Sequence, residues 1–389
     1  MNVKKAIVNA GILFFLLSIW LQGMTQLPRH RVCGFELNDT TAGDSKIFSP
    51  IHQELADNIR TNRSSVTIPV VFHLVYKNVN ENIPDQVLVR QLEYLNRDFN
   101  GLNSDLANVP DHFKNLVGRA NIRFCLASRD PSGFPTSGVV RIRTSMERIG
   151  VKEELHYTSR GGSDAWDTER YLNVWIADTG ENIVGFGTAP GQRTEKEDGV
   201  VIHRDYLDVK GPSRTLTHEV GHYLGLFHMW NDECKDVDFV KDTPAQEYPY
   251  YGCPKKERGT CGNKDMFMNF MDYTDHDCMY FFTKGQVHRM EKILAMYRPG
   301  LMHVETNCQT DKRDAEFILF PNPWLSGSDL TIRFSNPVLM DLQLYNAAGV
   351  LVFKEKKLVA RDYDCRFQLG ASGVYFLAIN GKWQRLVAL

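Results

Sequence analysis

The chain has almost no surplus charge of either sign: 45 Lys and Arg stand against 47 Asp and Glu, a net of −2. That gives no electrostatic ground for a nucleic acid partner or for an anionic membrane surface. Beyond the first residues no segment is apolar and long enough to cross a bilayer, so no transmembrane anchor is expected. The eight cysteines never fall at C-x₂-C spacing, the usual pattern of a four-cysteine zinc site. The first of them, Cys33, has no lipobox before it, which excludes a lipid anchor at that position. The stretch between residues 229 and 281 lacks clear helical or strand periodicity and needs stapling by other means. The rest is ordinary for a soluble protein: 389 residues, 43% hydrophobic and 24% charged, enough for two or three domains.

The N-terminus is different. Lys4 and Lys5 precede an apolar run from Gly11 to Leu21, too short to span a membrane and of the form of a signal peptide over residues 1–26. Export places the cysteines where disulfides form.

The chemistry is concentrated in residues 218–228, His-Glu-Val-Gly-His-Tyr-Leu-Gly-Leu-Phe-His, which fit H-E-x-x-H-x-x-G-x-x-H. His218 and His222 differ by about 40° around a helix and face the same way, so both imidazoles meet one zinc. Glu219 sits one rung on, placed to act as general base. Gly225 lets the chain leave the helix through a left-handed turn, which returns His228 as third ligand. Three protein ligands and one open position mark a catalytic zinc rather than a structural one. A buried amphipathic helix that happens to carry histidines is the bland alternative, but all five specified positions match. Downstream, Met268-Asn-Phe-Met-Asp-Tyr273 has the form of a Met-turn, with Met271 as an apolar floor under the metal and Tyr273 as donor to a developing oxyanion.

With these two motifs the chain resembles the pappalysin family of metzincins, in particular its small bacterial members. Ile68–Tyr76, Tyr171–Ile176 and Asp242–Gln246 agree with it, and the resemblance covers about residues 30–307. It implies a zinc endopeptidase of α+β class: a mixed sheet, an active-site helix and an irregular lower half. Four cysteines, Cys234, Cys253, Cys261 and Cys278, allow three pairings; the resemblance implies Cys234–Cys261 and Cys253–Cys278. Cys125 and Cys308 are candidates to join the two ends of this domain, and Cys365 has no obvious partner. The family's Cys-Gly pair in the pro-segment corresponds to Cys33-Gly34, which implies a thiolate on the zinc in a latent form. Asp238, Asp242 and Thr243 are the implied calcium ligands, so the cofactors are Zn²⁺ and Ca²⁺. Asp277, just before Cys278, is the implied acceptor for Arg or Lys at P1′, with Asp275 its nearest rival. His73 and His203 fall in strand-like stretches and read as structural.

The domain order read from the sequence is signal peptide 1–26, pro-segment 27–63, catalytic domain 64–308 and a β-sandwich over 315–389. Arg60 and Arg63 lie in a polar stretch suited to proteolytic nicking. Strands are expected at Val66–Tyr76, Ile122–Leu126, Val139–Thr144, Leu172–Ala177, Ile183–Pro190 and Val200–His203, with helices at about Ile83–Phe99 and from Ser213. Residues 309–314 are a charged linker. Beyond it, short alternating strands at Leu330–Phe334, Asp341–Tyr345, Val350–Lys354, Cys365–Leu369 and Gly373–Ile379 predict a small all-β sandwich. Its Phe320-Pro-Asn-Pro323 start and Gly373-Val-Tyr-Phe-Leu377 resemble the sorting domain of the type IX secretion system. That implies secretion machinery as a partner beside protein or peptide substrates, and a secreted or outer-surface location reached through the periplasm. A zinc-bearing adhesin or binding module that does not cut is the alternative from another class; an intact Glu219 argues against it.

Overall fold

The computed structural model describes residues 32–34 and 65–389, except 135, 208–210, 231–232, 237, 305–307, 309–316, 326, 335–337, 360–361 and 368–371. The signal segment, nearly all of the pro-segment with Arg60 and Arg63, and the charged linker lie outside the described residues.

Val-Thr-Ile-Pro-Val-Val-Phe-His-Leu-Val-Tyr forms the long strand at the middle of the molecule. It is apolar almost without interruption because it is buried on both faces, as strands of parallel sheets are. The sheet has seven strands: β1 (Val32–Cys33), β2 (Val66–Tyr76), β3 (Ile122–Leu126), β4 (Val139–Arg143), β5 (Leu172–Ala177), β6 (Ile183–Gly187) and β7 (Val200–His203). Their order is β1-β6-β7-β5-β2-β3, with β4 beside the second half of β2. β2 runs parallel to β3, β4 and β5, and β5 parallel to β7. Only β6 is antiparallel to its inner neighbour, and β1 adds to it in parallel.

Four helices follow in chain order: α1 (Asp85–Phe99), α2 (Asp111–Lys114), α3 (Thr215–Tyr223) and α4 (Lys284–Tyr297). α1 buries Leu88, Leu92, Leu95 and Phe99, the stripe expected of an amphipathic helix. With Leu216 and Val220 of α3 it covers Phe72, Leu74, Val174, Ile176 and Ile202 on one face of the sheet. On the other face Val75, Trp175, Phe186 and Val201 lie under Ile149 and Leu155, from the short turns of 149–156.

The sequence reading did not include α4. Its N-terminus is a capping box: the Thr283 hydroxyl accepts from Gln286 N, and the Gln286 side chain accepts from Thr283 N. The first predicted helix starts at Asp85 rather than Ile83, and the zinc-motif helix at Thr215 rather than Ser213. β4 stops at Arg143 and β6 at Gly187, where Thr144 and Pro190 were expected.

Three disulfides are present among the described residues: Cys125–Cys308, Cys234–Cys261 and Cys253–Cys278. The last two close the aperiodic region below α3. Cys365 is buried outside these bonds, its thiol donating to Leu330 O at 3.4 Å.

The C-terminal region is antiparallel. One sheet is β11-β10-β13-β14 (Leu351–Val359, Val338–Asn346, Gly373–Ile379, Lys382–Ala388), and the other β12-β9-β8 (Asp362–Cys365, Leu330–Phe334, Phe317–Phe320). They enclose Trp324, Ile332, Met340, Leu344, Leu377 and Leu386. β8 and β14 were not read from the sequence, and the expected strand at Cys365–Leu369 lies earlier, ending at Cys365.

One polar cluster ties α1 to the helix that carries the zinc motif. Arg214 is almost fully buried and donates to Asp98 and, at 2.6 Å, to Asp105; Thr217 donates to the second oxygen of Asp98 at 2.7 Å. Removing the cation leaves two carboxylates facing each other with Asp98 out of water. Arg214→Met is expected to lose about 3–5 kcal/mol of stability, read from urea unfolding of the full chain.

Candidate active site

All nine residues of α3 are buried, the polar ones included. A helix so enclosed keeps His218, Glu219 and His222 only if each finds a partner. His218 Nδ1 is 2.6 Å from Phe270 O, and His222 Nδ1 is 2.8 Å from Leu226 O. A carbonyl accepts only, so each Nδ1 carries the proton and each Nε2 presents a bare lone pair. α3 ends at Tyr223, and Gly225, at φ +82°, turns the chain back. That turn brings His228 to the same point, with Nε2–Nε2 separations of 3.2 Å (His218 to His228), 3.1 Å (His222 to His218) and 3.1 Å (His222 to His228). Zinc–nitrogen bonds of about 2.0–2.1 Å in a tetrahedron put the nitrogens about 3.3–3.4 Å apart. The donor set and its spacing therefore fit a zinc ion. Burial drives His222 and His228 well below the usual imidazole range, which keeps both neutral and able to ligate.

Cys33 Sγ is the fourth member: one ligand atom from each of Cys33, His218, His222 and His228 lies within 4.8 Å of the others. Its thiol also donates to Glu219 Oε2 at 3.2 Å. Glu219 is fully buried and its Oε1 has no partner among the described residues. Burial pushes its carboxyl up to about 8, with the Cys33 thiol and the Gly187 amide pulling it back.

Three glycines permit this density. A Cβ on Gly187 would lie 2.2 Å from Glu219 O, and one on Gly185 3.1 Å from the Glu219 side chain. β6 thus lies directly against the catalytic helix. A Cβ on Gly221 would lie 2.6 Å from Met271 Sδ, so Met271, fully buried, packs against the helix backbone between the two histidines.

Tyr273 follows Met271 in the same turn. Its ring centroid is 5.0 Å from that of His228 and 4.7 Å from that of Trp230, and its hydroxyl accepts from Cys33 N at 3.2 Å. Trp230 stacks on His228 at 4.3 Å and 15°. Asp272 holds the turn: its carboxylate accepts from Tyr250 N, Tyr273 N and Gln246 Nε2. Asn269 and Gln286 exchange two side-chain hydrogen bonds and tie the turn to α4. Sequence reading missed Trp230, Asp272 and Asn269. Trp230 stands two residues past the third histidine, but no spacing rule marks it.

The remaining candidates lie away from the metal point. Asp277 is exposed, 3.1 Å from where a Cβ on Gly211 would stand, and its charge acts on Arg214 and Asp105. His276 Nε2, 3.2 Å from Thr215 Oγ1, fixes that turn to the start of α3. Asp275 is exposed beside it. Asp242 accepts from Thr283 Oγ1 and Gly285 N at the head of α4, and Thr243 donates to Asp238. His73 lies between Ser163 and Asn173, and His203 Nδ1 accepts from Asp205 N.

The comparisons with known proteins agree with this geometry. Residues 157–295 match the peptidase M43 family model, described as pregnancy-associated plasma protein-A. An extracellular metalloprotease of Arthroderma benhamiae is 31% identical over 279 residues, 66% of this chain and 83% of that protein. Mature mirolysin of Tannerella forsythia, solved in complex with a cleaved peptide, is 39% identical with a TM-score of 0.61, covering 64% of this chain and 99% of that one. A promirolysin mutant from Tannerella forsythia is 35% identical with a TM-score of 0.65, covering 72% and 100%. With relatives of this identity matched along most of their own length, this chain is a member of the M43 family of metalloproteases, the pappalysins.

Proposed function

We propose that this protein is a secreted zinc endopeptidase, made as a latent zymogen, with a preference for Arg or Lys at P1′. The observation that carries the reading is the convergence of three imidazole Nε2 atoms, one buried carboxyl and the Cys33 thiol at one point below a sheet edge. Zinc held by His218, His222 and His228 would supply a Lewis acid that polarises the scissile carbonyl and acidifies water. Glu219 then takes the water proton and passes it to the leaving amine. Tyr273 turns its hydroxyl from the Cys33 amide to the oxyanion. Met271 keeps the underside dry.

Latency rests on Cys33. Its sulfur stands where a fourth ligand belongs and engages the general base, while β1 occupies the edge that an extended substrate would use. The mature and pro forms of mirolysin and its cleaved peptide support this reading, as the extracellular relatives support export.

Asp277, held by the turn at His276, is the group for a basic P1′ side chain. The buried Asp238, with its carboxyl raised to about 7 by desolvation and by Asp236 among its neighbours, is where a calcium ion would act; Asp242 and Thr243 complete that proposed site. The domain order 1–26, 27–63, 64–308 and 315–389, ending in a type IX sorting domain, belongs to the same proposal. No helix among the described residues is long and apolar enough to cross a membrane.

Quenched peptides assayed with trypsin-treated full chain test the function. Cleavage is expected to stop with a zinc chelator, and Glu219→Gln to lower kcat by roughly 10²–10⁴; an active Glu219→Gln protein would end the proposal. Chelation is also expected to lower the thermal midpoint, with zinc restoring it, and His228→Ala to abolish the shift. In the untreated chain Cys33→Ala is expected to raise activity severalfold. Asp277→Ala is expected to cut kcat/KM for P1′ Arg by about 10–100-fold while sparing P1′ Ala; an unchanged ratio removes Asp277 from the pocket.

A further inference from the structure

A second cavity opens on the opposite face of the sheet edge, away from the metal point. It measures about 210 Å³ and is bounded by Gly34, Ile183, Phe186, His156, Arg193 and Glu197. β1 shows how a peptide lying on this edge addresses it. Gly34 N donates to Gly185 O at 2.8 Å. The Cys33 side chain turns to the histidines, whereas a Cβ on Gly34 would point at Phe186 Cδ1 and Ile183 Cγ2, 3.2 and 3.3 Å away. The alternation is that of any extended chain: neighbours project to opposite faces. A substrate that replaces β1 therefore hangs every second side chain over this cavity. Gly34 leaves that space to the cavity, since it has no side chain to send in.

The lining states what such a side chain is. Ile183 and Phe186 form apolar walls for a methylene stem. At the bottom lies the His156 ring, 2% exposed, edge-on to Trp175 at 4.5 Å, and its Nδ1 has no hydrogen-bond partner among the described residues. A buried polar atom without a partner is costly and is normally satisfied by water or a ligand. Burial brings this imidazole down to about 3, helped by Arg193, so it is neutral and one nitrogen carries a proton. Around the rim, Glu197 is 4.0 Å from Arg193, whose guanidinium lies over the Phe186 ring, and Glu153 pairs with Arg160 at 2.9 Å. Lys152, also lining the cavity, has no ion pair among the described residues. Both carboxylates of the lining are thus engaged by arginines, and Lys152 is left to meet an incoming acceptor.

We propose that this cavity is a substrate subsite that takes a side chain with a methylene stem and an acceptor tip, Gln or Glu, and rejects Lys and Arg. The tip oxygen accepts from the His156 ring N–H at the bottom and faces Lys152 and Arg193 at the rim. This selection acts on the outward-facing residues of the substrate strand and is separate from the P1′ pocket by Asp277. The inference rests on the peptidase reading above.

The test uses full chain activated by brief trypsin treatment. Quenched peptides differ only by Gln, Glu, Ala or Lys at each position within three residues of the scissile bond. One position is expected to favour Gln and Glu over Lys by about tenfold or more. His156→Phe, which keeps a ring against Trp175, should erase the advantage of Gln over Ala there. Lys152→Glu, an exposed change, should invert the ranking of Glu and Lys. Ratios within one variant cancel differences in the amount of active protein. Binding of the same peptides to Glu219→Gln protein, read by fluorescence anisotropy, gives the ranking without turnover. Cleavage with flat selectivity at every position, or a profile that neither variant alters, overturns the subsite. Absent cleavage with the ranking kept in binding sinks the peptidase reading and leaves the subsite standing.

Discussion

Three imidazole nitrogens stand 3.1–3.2 Å apart and out of water, and the bare lone pairs of His218 and His222 repel one another unless a cation stands between them. Much of the surrounding structure follows from making that arrangement hold. The protons are kept on the far nitrogens of His218 and His222 by two carbonyls, Phe270 O and Leu226 O. Neither belongs to α3. One comes from the Met-turn and the other from the turn after Gly225, so the ligand set is complete only when both segments have folded back onto the helix. The Asn269–Gln286 exchange and the Asp272 carboxylate then hold the Met-turn in place. Arg289 of α4 does the same for the other turn by donating to Gly225 O at 2.6 Å.

That closeness needs backbone where most cores have side chains. Gly185 and Gly187 weaken a strand, because glycine has more freedom to lose and nothing to pack. The loss is tolerated at the rim of the sheet, where β6 is carried by β7, and β7 by the fully buried β5. In return Glu219 lies against the edge to which a peptide chain would bind. The sheet therefore does two jobs with one strand: its inner side sets the helix, and its outer edge stays available for pairing.

The α+β class and most of the sheet were legible because parallel strands buried on both faces read as plain apolar runs, as Val66–Tyr76 and Leu172–Ala177 do. α4 was not legible for the converse reason. Lys284, His288, Arg289, Glu291 and Lys292 break up its apolar stripe, yet Arg289 and Lys292 are buried, held by tertiary contacts that no periodicity reports. At the candidate site, residues 218–228 are one contiguous signal, and local helix geometry explains why. Cys33 is 186 positions from Glu219, and only the resemblance to a family with a Cys-Gly pair pointed to it. Trp230, Asp272 and His156 carry no local mark at all. Their roles come from what the fold sets beside them.

In the proposed latent form the described part of the pro-segment reaches the site through a two-residue strand, an amide donated to Tyr273 and a thiol shared between the metal point and Glu219. Joined to β2 through the same chain, the strand acts at the raised effective concentration of a tethered ligand. Cutting the chain between Cys33 and β2 removes that concentration. Activation then frees the sheet edge and the general base in a site whose helix and turns are already set. The device works because Cys33 blocks two functions with one atom, so losing that segment restores both at once.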